Sequence, residues 1–413
     1  MRYSASFYAV VLLPQLAVAQ RTSWIATWTA SAEASQHGSK NALLNIDNQT
    51  VRERVRVSIG GARICIRLSN EFGSSPVVVG AVTLGVPTGP AIVQPGSIRE
   101  VRFGGATSIT IPPGAPVLSD PLEFPLSYGE EISVSIYFPN RLDTPTWHSL
   151  SLKHAVVSAG GDHTRDKTIE AGKPALGSVM ITAVLVPRPP SRRLVVTFGD
   201  SIVDGDGSTV DADRNWPSDL IRRLQTTRHG SDLAIANEGI AGNRLLADGP
   251  IAMLGTSALA RFDRDALSAP GVTHIVLLEG INDIGFPGAK LGPLLLADPA
   301  NEPKPEDLIG AYRQLIARAH ARAIKVIGVT LTPFEGVVIP GYYSESKEAT
   351  RQAVNTWIRT SGAFDGVIDF DAVLRDPDDP RRIVPRFVSE DHLHPNDAGY
   401  QALADAIDLR LFQ

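Results

Sequence analysis

The chain has one cysteine in 413 residues, Cys65, so no intramolecular disulfide can form. It sits in the alternating run Ala62-Arg63-Ile64-Cys65-Ile66-Arg67-Leu68, where it reads as a buried apolar filler rather than a reactive thiol. An excess of charge is also missing. A net charge of −5, with 20% charged residues, gives no reason to expect a nucleic-acid or anionic-membrane partner. Beyond the N-terminal segment no apolar run reaches transmembrane length, so membrane insertion is not expected. No internal repeat is evident, and nothing points to an obligate protein partner. Gly-x-Ser-x-Gly occurs nowhere, which argues against the strand-elbow-helix nucleophile of α/β-hydrolases.

What is present begins with a leader-like segment. Arg2 provides a small positive region, Phe7 to Leu13 a short apolar one, and Ala17-Val18-Ala19 a small-residue cleavage pattern before Gln20. A signal peptide over 1–19 and a secreted mature protein are therefore expected. A first strand or helix of the fold is the alternative. The sequon Asn48-Gln49-Thr50 is a candidate glycan site.

Residues 20–186 read as strand after strand. Val51 to Ile59 alternates apolar with polar, as does the run around Cys65; Val77 to Val86, Ile132 to Tyr137 and Val179 to Val186 are further strands. Gly60-Gly61, Gly104-Gly105, Pro112-Pro113-Gly114 and Gly160-Gly161 punctuate them. Short strands with turn signals and no helical period indicate an all-β sandwich. Pro187 to Arg193 is Pro-rich and charged, and reads as a stiff linker over 187–193. From 194 to 413 strands alternate with helices. The strands are Leu194–Phe198, Leu233–Asn237, Thr273–Leu278, Lys325–Thr330 and Gly366–Phe370. Leu308, Ile309, Tyr312, Leu315, Ile316 and Ala319 mark the buried face of one helix. Another opens at Pro217, a third spans about 345–359, and the last follows Asn396 as N-cap. This pattern predicts an α/β fold with a five-stranded parallel sheet in the flavodoxin-like order. Two long loops, 285–305 and 333–343, are expected over the carboxyl ends of its strands.

Those ends collect polar groups. The first strand runs into Gly199-Asp200-Ser201, placing Ser201 where open α/β sheets bind ligands. It reads as a nucleophile if a base and an oxyanion site accompany it, and otherwise as a turn serine. The second strand leads to Gly242, whose N–H can face an oxyanion or merely serve a tight turn. The third ends in Glu279-Gly280-Ile281-Asn282-Asp283; Asn282 is an amide donor or an Asx cap. Near the end of the chain, Asp391-His392-Leu393-His394 offers His394 as base and Asp391 as its orienter. His392-x-His394 beside carboxylates also resembles a metal-ligand pair, but no second His or Cys cluster with ligand spacing accompanies it.

These four blocks, in this order and spacing, resemble the SGNH (GDSL) esterase/lipase family. The match covers Leu194 to Gln413 and carries Ser201, Gly242, Asn282 and His394. The resemblance implies a flavodoxin-like sheet, a triad of Ser201, His394 and Asp391, and no cofactor; with these, Ser201, Gly242 and Asn282 are the expected oxyanion hole, and the lack of a second ligand cluster leaves no metal expected. The family's usual Gly-Asp-Ser-Ile-Thr-Asp-Gly reads Gly-Asp-Ser-Ile-Val-Asp-Gly here. The first half, with Trp24, Trp28, Thr50-Val51-Arg52 and Arg67 to Gly73, is similar to the β-domain preceding some secreted members. The acetylxylan-esterase-like subgroup shares this layout and a helix with Arg351, Asn355 and Trp357. The expected activity is ester hydrolysis, removing short acyl groups, above all acetyl, from a small-molecule or polysaccharide ester. The alternatives are a lipase-like enzyme, kept open by the apolar Leu291 to Leu296, and a non-catalytic glycan-binding protein.

Overall fold

Alternation in the first half becomes two antiparallel sheets. The computed structural model describes residues 23–413 except 37, 228 and 229; the leader expected over 1–19 lies outside them. One sheet runs Trp24–Thr29, Ile181–Pro187, Gly61–Ser69, Pro116–Leu118, with Leu122–Leu126 also paired to Gly61–Ser69. The other runs Lys173–Leu176, His154–Val157, Gln49–Arg56, Glu131–Phe138, Ala81–Gly85, Arg99–Glu100. Gln49–Arg56 pairs with Glu131–Phe138 from Gln49 opposite Phe138 to Arg56 opposite Glu131. Val51, Val55, Ile132 and Val134 of one sheet share an apolar core with Ile64, Ile66, Leu68 and Val184 of the other.

The polar positions of this alternation do not all face water. Arg52 is buried, and its guanidinium donates to the carbonyls of Ala91 and Asp166 at 2.8 Å and to Ser135 Oγ. Glu53 accepts from Ser178 Oγ and Val179 N. Later segments have folded over the second face, which period-two patterning cannot anticipate.

The Gly61–Ser69 and Ile181–Pro187 strands are buried on both faces. Ile64, Ile66 and Val184 enter the core just described, whereas Cys65, Ala183, Leu185 and Val186 join Ile25 and Ala26 in the core of the second half. The connection between the halves is short and pinned. Arg192 Nη1 donates to Gly60 O at 2.7 Å, and Arg188 N to Ser23 O at 2.8 Å.

The second half holds five parallel strands in the order Leu233–Gly239, Arg193–Gly199, Val272–Leu278, Lys325–Val329, Gly366–Ile368. In chain order that is 2-1-3-4-5, the flavodoxin-like order expected from the sequence. Leu194 to Phe198 is wholly buried, as a continuous apolar run requires when both faces are covered. Helices Trp216–Gln225, Pro305–His320, Glu345–Thr360 and Asp397–Ala406 lie where the patterning predicts them. One position of the expected face differs. Ile309 is only half-buried, and Ala311 packs inward beside Leu308 and Tyr312, because a 3.6-residue turn carries position 309 off the stripe. The strand order switches between Arg193–Gly199 and Val272–Leu278, so the crevice opens at their carboxyl ends.

Candidate active site

At the end of the Arg193–Gly199 strand no side chain fits: a Cβ on Gly199 would lie 2.0 Å from the Leu278 carbonyl oxygen. Asp200 follows in extended conformation, and its Oδ1 accepts from Ile202 N at 2.9 Å, capping the single helical turn Ser201–Asp204. Ser201 is the first residue of that turn, so its N–H has no intrahelical acceptor.

Ser201 Oγ lies 2.8 Å from His394 Nε2. On the far side of the ring, His394 Nδ1 is 2.5 Å from Asp391 Oδ2. The other Asp391 oxygen accepts from Ser389 Oγ, Leu393 N and His394 N, at 2.7, 2.8 and 3.0 Å. A three-residue separation in a tight turn thus locks carboxylate and imidazole together. His392 stands apart at φ 57°, beside Gly336 of the 333–343 loop. Among the described residues no group of three or more His, Cys, Asp or Glu is arranged to hold a metal ion.

The electrostatics of the pair follow from burial and charge. Burial alone would lower the His394 pKa, but the Asp391 hydrogen bond and the charges of Asp206, Asp391 and Asp200 outweigh it and raise the pKa above 6.5. Burial would raise the Asp391 carboxyl, yet the bond to His394 and its charge hold it well below the ordinary carboxylate range. Asp206 Oδ2 is 3.8 Å from His394 Nε2, so a second carboxylate flanks the ring on the serine side.

The expected oxyanion donors lie in the neighbouring strand-end turns. Gly242 has φ +69°, and a Cβ there would meet Leu254 Cδ2 at 2.6 Å. Asn282 does not cap its helix, whose N-cap is Gly280. Its Nδ2 donates to Asn243 O at 2.9 Å and its Oδ1 accepts from Tyr342 OH at 2.8 Å. Those two bonds fix the amide and leave one Nδ2 hydrogen for a ligand. Asp283 ties the two blocks together by accepting from Leu245 N and Leu246 N at 2.6 and 2.8 Å.

Sequence reasoning missed the buried charges beneath these turns. Arg261 is fully buried. It donates to Gly199 O, Glu238 O, Asn243 Oδ1 and Ser31 Oγ, binding two strand ends, the Gly242 turn and the first half. It comes from an irregular helical stretch, Ala258–Phe262 followed by Asp263–Leu267, that has no clear period. Asp200 and Glu279, at adjacent strand ends, are buried too. Desolvation lifts Asp200 to about 7 and Glu279 well above the usual carboxylate range. Neither Glu279 oxygen has a hydrogen-bond partner among the described residues. Tyr342 is a further residue with no sequence signal, since it projects from a loop.

A serine–imidazole–carboxylate chain at the switch point of a flavodoxin-like sheet defines a class of hydrolase. Residues 197–402 match the model of the GDSL-like lipase/acylhydrolase family. The chain belongs to that family through its C-terminal half, and it is a carboxylic ester hydrolase. No curated protein sequence matches it. Among solved structures it is similar to a putative lipolytic protein of the G-D-S-L family from Desulfitobacterium hafniense DCB-2, at 18% identity and TM-score 0.38, covering 52% of this chain and 97% of that one. It is similar to the native M. smegmatis aryl esterase, at 15% identity and TM-score 0.40, covering 52% and 95%. A carbohydrate acetylesterase family member from Sinorhizobium meliloti is similar at 15% identity and TM-score 0.39, covering 52% and 94%.

Proposed function

We propose that ester hydrolysis runs through Ser201, His394 and Asp391. The observation that carries this reading is the unbroken hydrogen-bond chain from Ser201 Oγ through the imidazole to Asp391. Ser201 Oγ attacks the ester carbonyl carbon while His394 Nε2 takes its proton. Asp391 holds the Nδ1 proton and stabilises the imidazolium. The Ser201 and Gly242 N–H groups and the remaining Asn282 Nδ2 hydrogen receive the oxyanion, each such donor being worth roughly 10²–10³ in rate. The intermediate collapses, the leaving alcohol takes the proton from His394, and water activated by the same ring releases the acid. Ser201→Ala is expected to abolish turnover of p-nitrophenyl acetate with an unchanged circular dichroism spectrum. A fluorophosphonate should label Ser201; an adduct on another serine would overturn the assignment.

The substrate we favour is a short acyl ester, acetyl above all, of a polar alcohol such as a sugar. The loops over the strand ends support it, with Gly288, Lys290 and Glu335, as does the resemblance of the first half to that of acetylxylan-esterase-like enzymes. One observation favours a second reading, longer acyl chains. Leu291, Leu295 and Val338 on those loops are 57%, 44% and 60% exposed, and Val338 N donates to Asp391 O. The relative kcat/KM for p-nitrophenyl acetate, butyrate, octanoate and palmitate separates the two: a steady fall from acetate supports the first, a rise to octanoate the second. Export after removal of residues 1–19 belongs to the same proposal, and N-terminal sequencing of protein from the medium tests it.

A further inference from the structure

The Ser201–Asp204 turn is short, and its last side chain is held from the other half of the molecule. Asp204 is buried, and His148 Nε2, 3.1 Å from its Oδ1, is the only hydrogen-bond partner of its carboxylate among the described residues. His148 lies on the short Trp147–His148 strand of the β half and is itself buried. Its Nδ1 is 3.0 Å from the Ser31 carbonyl oxygen and 3.2 Å from Glu33 Oε1. A carbonyl only accepts, so Nδ1 carries a proton. Desolvation lifts the Asp204 carboxyl to about 6, and wherever it is ionised it only accepts, so Nε2 carries a proton as well. With Asp204 ionised, the contacts describe an imidazolium hydrogen-bonded to Ser31 O and to Asp204 of the nucleophile's turn, with the Glu33 carboxyl of the β half close by. The two carboxylates also favour the charged ring despite its burial.

The main chain of the turn passes this contact on to Ser201. Asp204 N donates to Asp200 O at 3.0 Å and Gly205 N to Ser201 O at 2.7 Å. Asn215 Nδ2 donates to the Asp204 carbonyl and Asn237 Nδ2 to the Val203 carbonyl. Asp204, His148, Asn215 and Asn237 also line a cavity of about 100 Å³ between the halves. Without His148 the Asp204 carboxylate would have no hydrogen-bond partner among the described residues.

We propose that His148 is a positioning residue for catalysis: through Asp204 it fixes the turn that aims Ser201 Oγ at His394. The β half is on this account part of the catalytic unit. The proposal rests on Ser201 being the nucleophile, and the test keeps the two apart. Kinetics with p-nitrophenyl acetate are measured for His148→Leu, Asp204→Asn and the double variant, each checked by near-ultraviolet circular dichroism, with Ser201→Ala alongside. Misplacement of a reacting group by about 1 Å costs up to roughly 100-fold, so His148→Leu is expected to lower kcat by about 10- to 100-fold at unchanged KM. Adding Asp204→Asn should cost nothing further, because both act through one contact. A folded His148→Leu enzyme with wild-type kcat, a change in KM alone, or losses that multiply in the double variant would overturn the proposal. If His148→Leu does not fold, Asp204→Asn, which preserves side-chain volume, decides it by the same split. An active Ser201→Ala variant would instead overturn the nucleophile assignment.

Discussion

The His394 imidazole stands between two carboxylates, and only one of them was legible in the sequence. Asp391 is three residues away in a spacing that a tight turn makes readable. Asp206 is 188 residues away, and its 3.8 Å approach to Nε2 depends on where the turn after Ser201 leads. Both raise the pKa of the ring. In the proposed mechanism His394 acts as base in its neutral form, so kcat/KM should rise with pH, and the raised pKa places that rise above 6.5. Asp206→Asn removes one charge that favours the imidazolium. The acid limb is then expected to shift to lower pH, so that the variant gains relative activity on the acid side. An unmoved limb in the kcat/KM profile, or one moved to higher pH, would mean that Asp206 does not act on the ring. The same contrast explains what sequence reasoning reached elsewhere in the site. Ser201, Gly242, Asn282 and His394 each follow a strand or precede a helix, so local pattern marks them. Arg261, Tyr342 and His148 arrive from irregular or distant segments and carry no local signal.

At the scale of elements, the Arg351, Asn355 and Trp357 helix shows how a recognisable string can be a scaffold. Arg351 has no exposed surface. It makes two bonds to Glu348, at 2.8 and 2.7 Å, one to Asp371 at 2.6 Å and one to Leu331 O at 2.8 Å. Asn355 grips the same residue from both sides, accepting from Leu331 N and donating to Leu331 O. Trp357 stacks on Tyr312. The helix thus fixes the point where the fourth parallel strand turns into the 333–343 loop. None of the three touches Ser201 or His394, so the string marks stability rather than chemistry. Removing one member of a buried ion-pair network leaves an uncompensated charge and typically costs about 3–5 kcal/mol. Arg351→Ala is expected to lose about that much, measured as a lower urea midpoint at unchanged slope. A midpoint within error of wild type would show that the network contributes nothing net. The strand order and most helix positions were readable for the opposite reason: they rest on period and burial, which act along the chain. The burial of Arg52 and Glu53 was not, since covering segments come from far away.

Across the whole molecule, the halves meet through a shared apolar core and a covered sheet edge. Leu233–Gly239 is the outer strand of the parallel sheet, and an open edge of this kind invites pairing with other chains. The β half closes it. Ser58 Oγ accepts from Ile235 N at 3.1 Å, and Thr29 Oγ1 donates to Asn237 O at 3.0 Å. Ser31 Oγ donates to Glu238 at 2.6 Å, and Ala26 N to Pro270 O at 2.9 Å. Ile25, Cys65, Leu185 and Val186 bury their side chains with the second half, and each fully buried aliphatic side chain contributes roughly 1.5–3 kcal/mol. Independent domain motion is the usual expectation unless such an interface is large and hydrophobic. Here the interface replaces a solvent face of the β half and a sheet edge of the α/β half at once. The two halves are therefore expected to unfold together. Trp24, Trp28 and Trp147 report on the first half, and Trp216 and Trp357 on the second. In urea, tryptophan fluorescence, far-ultraviolet circular dichroism and esterase activity should be lost in one coincident transition. Residues 194–413 expressed alone should aggregate through the uncovered edge. Two separated transitions, with activity surviving the first, would show that the α/β half is a self-sufficient enzyme and the β half an appendage.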